Sequence, residues 1–279
     1  MSENPIADPL VENAAPDTAG PVRLDASPSG VAVVTIARPE KRNAFDAATI
    51  AALREAFETL HGADHVRVVF LRGAGGIFSA GADLEWMRDA AGWSEADNRD
   101  DAMGLARMLK ALYDVPALTV ALVERAAMGG GGGLVAACDM AIATRDAKFA
   151  FSEVKLGIIP ATISPYVVDA VGPRHAKALF TTGRLFDAEF AARIGLVTEV
   201  VDDSAALDAA QERIATEIMA CAPGSIAESK RLVWDVWGRP IDNALMDDTA
   251  RRIAKKRVGE EGREGVAAFL EKRKPSWAV

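Results

Sequence analysis

Five consecutive glycines, Gly129–Gly133, are the feature that most restricts what this chain can fold into. Each glycine costs roughly 0.5–1 kcal/mol relative to alanine inside regular structure, so such a run needs a specific reason. An apolar, alanine-rich segment follows at once and predicts a buried helix. Glycines that open a helix leave backbone N–H groups unpaired, with no side chain over them. We therefore expect a site that stabilises negative charge on a ligand oxygen.

A glutamate, Glu153, lies 20 residues beyond the glycine run, between apolar neighbours. Burial would raise its pKa towards neutrality and suit it to proton transfer. An isolated glutamate is more often a solvated surface group. The glycines, in turn, could have a purely structural role and allow a helix to pack closely on a strand, although one or two glycines usually suffice for that. We favour the interpretation in which the N–H groups polarise a carbonyl and Glu153 moves a proton nearby.

The run does not match the common nucleotide-binding motifs. Leu134 stands where G-x-G-x-x-G requires its third glycine, and no Gly-Lys-Ser/Thr follows. The G-x-S-x-G motif of a nucleophilic serine is missing as well. His61 and His65 flank Gly62, so we interpret them as exposed residues at a helix end and expect no metal.

Composition argues against several classes of protein. The 279 residues are 50% hydrophobic and carry a net charge of −8, which disfavours a broad nucleic-acid surface. No apolar run reaches the roughly 18 residues of a membrane span, and the first residues lack the basic region of a signal peptide. Cys138 and Cys221 have no partner motif, and we interpret them as reduced core residues. We expect a cytoplasmic protein that binds neither nucleic acid nor membrane.

Strand and helix patterns alternate along most of the chain and become almost wholly helical near its end. Asp46 and the pair Ser94–Asp97 predict helix starts, and Gly62 predicts a helix end. Further helices are predicted around 174–180 and 187–193, with Pro160 and Pro165 flanking a loop. The predicted strands are Val31–Ile36, Val66–Leu71, Ala117–Val123, Met140–Ala143, Lys148–Phe151 and Leu196–Val201.

This order of elements predicts an α/β core with an all-helical appendage. We expect a disordered tail at residues 1–20, because the segment is rich in Pro, Ala and acidic residues without periodicity. The α/β core is expected at 21–204 and the helical region at 205–279.

Several motifs resemble the enoyl-CoA hydratase/isomerase family, the crotonase fold, over about Val31 to Trp277. Together they are highly specific, although each alone is weak. They are Arg38-Pro39-Glu40-Lys41-Arg42-Asn43-Ala44, Phe78-Ser79-Ala80-Gly81-Ala82-Asp83-Leu84, Gly129-Gly130-Gly131, Cys138-Asp139, Gly157-Ile158-Ile159-Pro160 and Phe269-Leu270-Glu271-Lys272-Arg273-Lys274-Pro275.

The resemblance implies a spiral of ββα units with a C-terminal helical region, assembled as homotrimers or dimers of trimers. That region would serve oligomerisation and closure of the CoA site. The substrate would be an acyl-CoA thioester, with no cofactor besides its own CoA. The thioester oxygen would lie between the N–H groups of Ala82 and Gly130, with Glu153 as the proton carrier. The loop residues Ala80, Asp83 and Leu84 would meet the adenine end of CoA, and Arg42 its phosphates.

One departure from the family pattern keeps the reaction open. Two-glutamate hydratases of the family carry a glutamate just after the glycines, where this chain has Gly133. Hydration of an α,β-unsaturated acyl-CoA is the first hypothesis, and 3-enoyl-CoA to 2-enoyl-CoA isomerisation is the alternative. The segments around Gly133, Glu153 and Ile163 look most like bacterial methylglutaconyl-CoA hydratases of leucine degradation. A non-enzymatic RNA-binding role is a more distant alternative, suggested by a eukaryotic relative of those hydratases.

Overall fold

The computed structural model describes residues 20–278, so the predicted disordered tail lies outside the described residues except for Gly20. The strands are β1 (Val22–Ala26), β2 (Val31–Ile36), β3 (Val68–Gly73), β4 (Leu118–Val123), β5 (Ala126–Met128), β6 (Met140–Thr144), β7 (Lys148–Ala150), β8 (Phe186–Asp187) and β9 (Glu199–Val201). The α-helices are α1 (Ala47–His61), α2 (Leu84–Ala90), α3 (Glu95–Tyr113), α4 (Gly130–Ala137), α5 (Ser164–Thr182), α6 (Ala188–Arg193), α7 (Ser204–Met219), α8 (Pro223–Val236), α9 (Asn243–Val258) and α10 (Glu260–Glu271).

The strands form two sheets. The larger has the order β1-β2-β3-β4-β6-β9 and the smaller the order β5-β7-β8. In the larger sheet β1 is antiparallel to β2, whereas every pair from β2 to β9 is parallel. Parallel neighbours need long crossovers, which α1, α3 and α4 provide in turn. In the smaller sheet β5 and β7 are parallel, so the glycine run leaves the end of β5 beside β7.

Both faces of the larger sheet are buried, which explains why its strands are continuous apolar runs. On β3, Val69 and Leu71 join the core cluster that contains residues of α1, α3 and α4. Val68 and Phe70 point to the opposite face and pack with residues of α7. The alternation follows from the two-residue period of a strand. Helix α7, the first of the C-terminal helices, is therefore part of the core packing.

Most local predictions are confirmed. Strand β2 has the predicted bounds, and Asp46 accepts a hydrogen bond from the Thr49 N–H at the start of α1. Ser94 and Asp97 form the predicted capping box of α3. The helices after residue 204 are confirmed as α7–α10. The domain bounds, and the roles of the last region in assembly and site closure, stay predictions.

Three predictions need correction. The predicted strand Leu196–Val201 is shorter, because β9 begins at Glu199 and the Leu196 and Val197 N–H groups donate instead to the Ala191 carbonyl near the end of α6. The loop flanked by Pro160 and Pro165 is shorter than predicted, because α5 begins at Ser164 with Pro165 in its first turn. Proline is tolerated there because the first N–H groups of a helix have no internal acceptor. Cys221 is exposed and Cys138 is partly buried, both as free thiols, so the core prediction is wrong for Cys221. Within residues 20–278, no helix combines the length and apolar character needed to cross a membrane.

Candidate active site

The glycine run makes the turn from β5 into α4. Gly129 has φ +48° and ψ −116°, a backbone conformation that side chains disfavour. Its N–H donates to the Ala150 carbonyl at 2.8 Å, which extends the pairing of β5 with β7. The first internal bond of the helix runs from the Gly133 N–H to the Gly129 carbonyl at 3.0 Å. The Gly130 N–H therefore projects beyond the helix start, and it donates to no other group among the described residues.

The helical glycines of the run are also required by packing, more than the sequence suggested. A Cβ atom on any of them would approach a neighbouring residue to 3.0 Å or less. The atom nearest to such a Cβ is Phe45 Cε2 at 3.0 Å for Gly130 and Ser79 Cβ at 2.9 Å for Gly131. It is Phe151 Cε1 at 2.8 Å for Gly132 and Ile163 Cγ2 at 2.3 Å for Gly133. The expectation that one or two glycines satisfy the packing is therefore wrong, because the helix start touches neighbours on several sides.

The second N–H predicted for the oxyanion lies in a loop beside the helix start. Phe45 donates to the Gly81 carbonyl and accepts from the Asp83 N–H, both at 2.7 Å. Because both bonds lie on the Phe45 side, the intervening Ala82 directs its own N–H the other way. That N–H has no acceptor among the described residues. A Cβ on Gly81 would lie 2.7 Å from the Met128 carbonyl oxygen, so the loop runs directly along the glycine segment.

A buried ion pair holds this loop in place. The Arg38 Nη2 lies 3.1 Å from Oδ2 of Asp83 and 3.0 Å from Oδ2 of Asp46. Asp83 is 5% exposed, and its other carboxylate oxygen accepts from the Glu85 N–H at 2.9 Å. Burial alone would raise the pKa of Asp83, but the bonds from Glu85 and Arg38 outweigh it and hold that pKa below its usual value. Arg38 and Asp83 thereby position the Ala82 N–H.

Glu153 lies where the sequence predicts it, against the start of the glycine run. Its Oε1 is 3.2 Å from the position of a Cβ on Gly129. Its Oε2 is buried, with no hydrogen-bond partner in the described part of the chain. Burial raises the pKa of this carboxyl, and a bond from its own backbone N–H only partly offsets that rise. A partly buried carboxylate with an unused oxygen is ready to hold a water molecule or a substrate proton.

The predicted CoA contacts gather on the exposed side of the same loop. The Ala80 N–H donates to the Arg42 carbonyl at 3.0 Å, which brings the two predicted residues together. Arg42 is exposed, and Leu84 is 77% exposed. Asp83 belongs to the loop but turns its carboxylate inwards to Arg38, so any ligand contact it makes would use the backbone. Binding of CoA by these residues stays a prediction.

Other carboxylates and cavities are separate from this arrangement. Glu124, which precedes the glycine run, accepts from the Ser204 hydroxyl and lies 3.7 Å from Arg72. A cavity of about 700 Å³ lies at the opposite end of α4, lined by Cys138, Lys230 and Trp234 among others, and includes none of the predicted site residues. Across residues 20–278, no cluster of His, Cys, Asp or Glu could hold a metal ion.

Sequence reasoning missed two residues that shape the site. Arg38 lies in a loop rich in cations, where arginine side chains are usually solvated, yet it is largely buried between two carboxylates. Its place in the arginine–proline motif was the available signal. Ile163, which fills the space beside Gly133, had no local signal because its role depends on a contact across 30 residues.

Comparison with known proteins supports the fold and the general chemistry. The model of the family described as enoyl-CoA hydratase/isomerase matches residues 26–279. A carnitinyl-CoA dehydratase from Salmonella arizonae is 34% identical over 249 residues, which cover 88% of this chain and 93% of that protein. A mevalonyl-coenzyme A hydratase from Aspergillus fumigatus is 34% identical over 254 residues, 88% of this chain and 91% of its own. An enoyl-CoA hydratase structure from Shewanella pealeana is 39% identical with a TM-score of 0.87, covering 92% and 96% of the two chains. These matches confirm the predicted fold.

Replacing Asp83 by asparagine should loosen the loop that carries Ala82. We expect Asp83→Asn to lower the free energy of unfolding by about 1–3 kcal/mol at neutral pH, because it removes a charged acceptor from two hydrogen bonds. The pKa of Asp83 is lowered, so the wild-type advantage holds above the ordinary aspartate range and is lost as the pH falls through the lowered value. Urea unfolding of both proteins at several pH values measures this difference in the free energy of unfolding. The exposed Asp89→Asn is the control, and equal effects of both variants would contradict the account.

Replacing Glu153 by glutamine should stabilise the protein at neutral pH. Because burial raises the pKa of Glu153, folding is penalised once the pH exceeds the glutamate pKa of the unfolded chain. The penalty vanishes at lower pH, where both states are protonated. We therefore expect Glu153→Gln to melt above the wild type at pH 7, with the gap closing towards about pH 4. Calorimetry across this range checks it, with the exposed Glu58→Gln as control. A gap that widens at low pH would contradict the expected sign.

Proposed function

We propose that this chain, which belongs to the enoyl-CoA hydratase/isomerase family, adds water across the double bond of an α,β-unsaturated acyl-CoA thioester. The observation that carries the proposal is the unpaired, buried Oε2 of Glu153 beside the start of α4. Two relatives are named for adding or removing water, the carnitinyl-CoA dehydratase and the mevalonyl-coenzyme A hydratase. Their names support hydration over other reactions on CoA thioesters.

The proposed reaction needs one carboxyl group and two N–H donors. Glu153 removes a proton from water while the water oxygen bonds to Cβ of the substrate. The electron pair of the double bond moves towards the thioester, and charge builds on its oxygen between the N–H groups of Ala82 and Gly130. Preorganised donors of this kind contribute about 3–4 kcal/mol each. Glu153, now protonated, returns a proton to Cα as the enolate collapses, so one water is consumed and the carboxylate is regenerated.

The proposed substrate contacts follow the exposed side of the loop. Ala80, the backbone of Asp83 and the side chain of Leu84 would meet the adenine end of CoA, and Arg42 its phosphates. The exposure of Arg42 and Leu84 supports this, since neither side chain is committed to the core. No cofactor is needed besides the CoA of the substrate, because no electrons leave it.

We propose 3-methylglutaconyl-CoA as the acyl substrate on the motif resemblance alone. The cytoplasm is the proposed compartment because Cys138 and Cys221 are both free thiols, as is usual where thiols are kept reduced. A homotrimer or a dimer of trimers has further support from the surface. Large apolar side chains stand exposed on and between the last helices, including Trp237 at 73%, Ile241 at 87% and Phe269 at 82%. Where such residues form a contiguous patch, the patch often marks a surface that binds another protein.

Isomerisation of a 3-enoyl-CoA to a 2-enoyl-CoA is the second candidate. It needs only one base, which removes a proton from C2 and returns it to C4. The observation that favours it is the glycine at position 133, where a second carboxylate would stand in a two-glutamate hydratase. RNA binding without catalysis is disfavoured by the net charge of −8. Tight, specific RNA binding in a gel shift at physiological salt would reverse that judgement.

Oxygen-labelled water separates hydration from isomerisation. Hydration places one labelled oxygen on Cβ of the product, whereas isomerisation incorporates none. We expect label in the products formed from crotonyl-CoA or 3-methylglutaconyl-CoA, detected by mass spectrometry. Unlabelled 2-enoyl product from a 3-enoyl-CoA, with no hydration of either substrate, would establish the second candidate instead.

Removal of the Glu153 carboxylate should abolish most turnover without abolishing binding. We expect Glu153→Gln to lower kcat by roughly 10²–10⁴-fold, the usual contribution of a general acid–base. Affinity for a CoA ester should persist, because the donors at Ala82 and Gly130 belong to the backbone. Kinetics and calorimetric titration measure the two quantities, with Glu58→Gln on the exposed face of α1 as the matched control. Near-normal turnover in a folded, ligand-binding variant would remove Glu153 from the mechanism.

A further inference from the structure

The space beside Gly133 is filled by Ile163 from the start of α5. A Cβ on Gly133 would lie 2.3 Å from Cγ2 and 2.8 Å from Cβ of Ile163. Real Cβ atoms do not approach other heavy atoms this closely, so no side chain fits at position 133 unless Ile163 moves.

The backbone around Ile163 leaves little room for such a movement. Ile163 is 2% exposed, and its carbonyl accepts from the Val167 N–H at 3.1 Å in the first turn of α5. Ser164 donates to the Ala161 carbonyl at 3.2 Å, and Pro165 fixes its own φ angle. A shift of Ile163 would therefore displace the first turn of α5, which packs directly on α4.

We propose that Ile163 is a specificity-determining residue: by occupying the volume beside Gly133 it excludes a second carboxylate there and leaves Glu153 as the proton carrier. The consequence for the reaction rests on the proposed function, whereas the exclusion itself rests on the packing alone. With one carboxyl, both proton transfers take place on the side of the substrate that faces Glu153.

The proposal makes position 133 and position 163 interdependent. In Ile163→Gly, the Cα of residue 163 would lie 3.9 Å from a Cβ at position 133, which is an ordinary contact. In Ile163→Ala, the Cβ of residue 163 would remain 2.8 Å from the Cβ at position 133. Glycine opens the space and alanine does not, which supplies a matched control one methyl group apart. Ile163 has φ −85° at the N-cap of α5, so glycine and alanine are both compatible with its backbone.

The first experiment is a melting-temperature cycle on the full chain. Gly133→Ala should lower Tm because of the clash, and Ile163→Gly should lower it through lost packing. In the double variant Gly133→Ala/Ile163→Gly the loss of Tm should be clearly smaller than the sum of the losses in the two single variants. In the double variant Gly133→Ala/Ile163→Ala the loss should stay near the corresponding sum. Additive losses in both pairs would overturn the steric exclusion. No substrate is involved, so this result is independent of the proposed hydration.

The second experiment asks whether the excluded carboxylate takes part in the reaction once admitted. Crotonyl-CoA hydration is compared in Glu153→Gln and in the triple variant Gly133→Glu/Ile163→Gly/Glu153→Gln. We expect the hydration activity of the triple variant to be at least about tenfold higher than that of Glu153→Gln, since a positioned general base contributes 10²–10⁴-fold. We also expect Gly133→Glu/Ile163→Gly to add a second ionisation to the pH profile of kcat. A triple variant that folds and binds CoA ester without recovery would overturn the role of Ile163 in specificity. Failure of the wild type to hydrate any enoyl-CoA would instead count against the proposed function.

Discussion

The close contact of α4 with its neighbours, made possible by glycine, is the constraint on which the rest of the site depends. Phe45, Ser79, Phe151 and Ile163 each occupy volume that a side chain on the first turn would need. These contacts come from four different parts of the chain, so the helix start is fixed relative to all of them at once. The unpaired N–H of Gly130 is held rigidly as a result. A donor held in this way does not need to reorient when charge develops on a ligand oxygen.

The same arrangement leaves polar groups unsatisfied, at a cost to stability. A buried polar atom without a partner costs about 1–3 kcal/mol, and Oε2 of Glu153 is such an atom. The N–H groups of Ala82 and Gly130 stay unpaired close by. The buried contacts of Asp83 with Arg38 and with the start of α2 stabilise the loop and help to offset this cost. Unsatisfied groups that persist in a well-packed region are typical of sites that bind a ligand.

The regular elements could be predicted from the sequence because their causes are local. The period of apolar residues and the capping side chains Asp46, Ser94 and Asp97 depend on residues close in the chain. The approach of Glu153 to the glycine run could also be predicted as a hypothesis, because a glutamate with apolar neighbours follows five consecutive glycines by only 20 residues. The partners of Arg38 and the position of Ile163 were not, since both depend on contacts between segments that only the folded chain brings together. For the same reason the need for glycine at four successive helix positions was underestimated: each glycine meets a different distant residue.

The most direct test of the account is the vibrational frequency of a bound thioester carbonyl. An enoyl-CoA bound to the slow Glu153→Gln variant can be examined by difference Raman spectroscopy before it reacts. If the N–H groups of Ala82 and Gly130 both donate to the thioester oxygen, the carbonyl stretch moves to lower frequency than that of the same ligand in water. A saturated complex whose carbonyl frequency equals that of the free ligand would contradict the account.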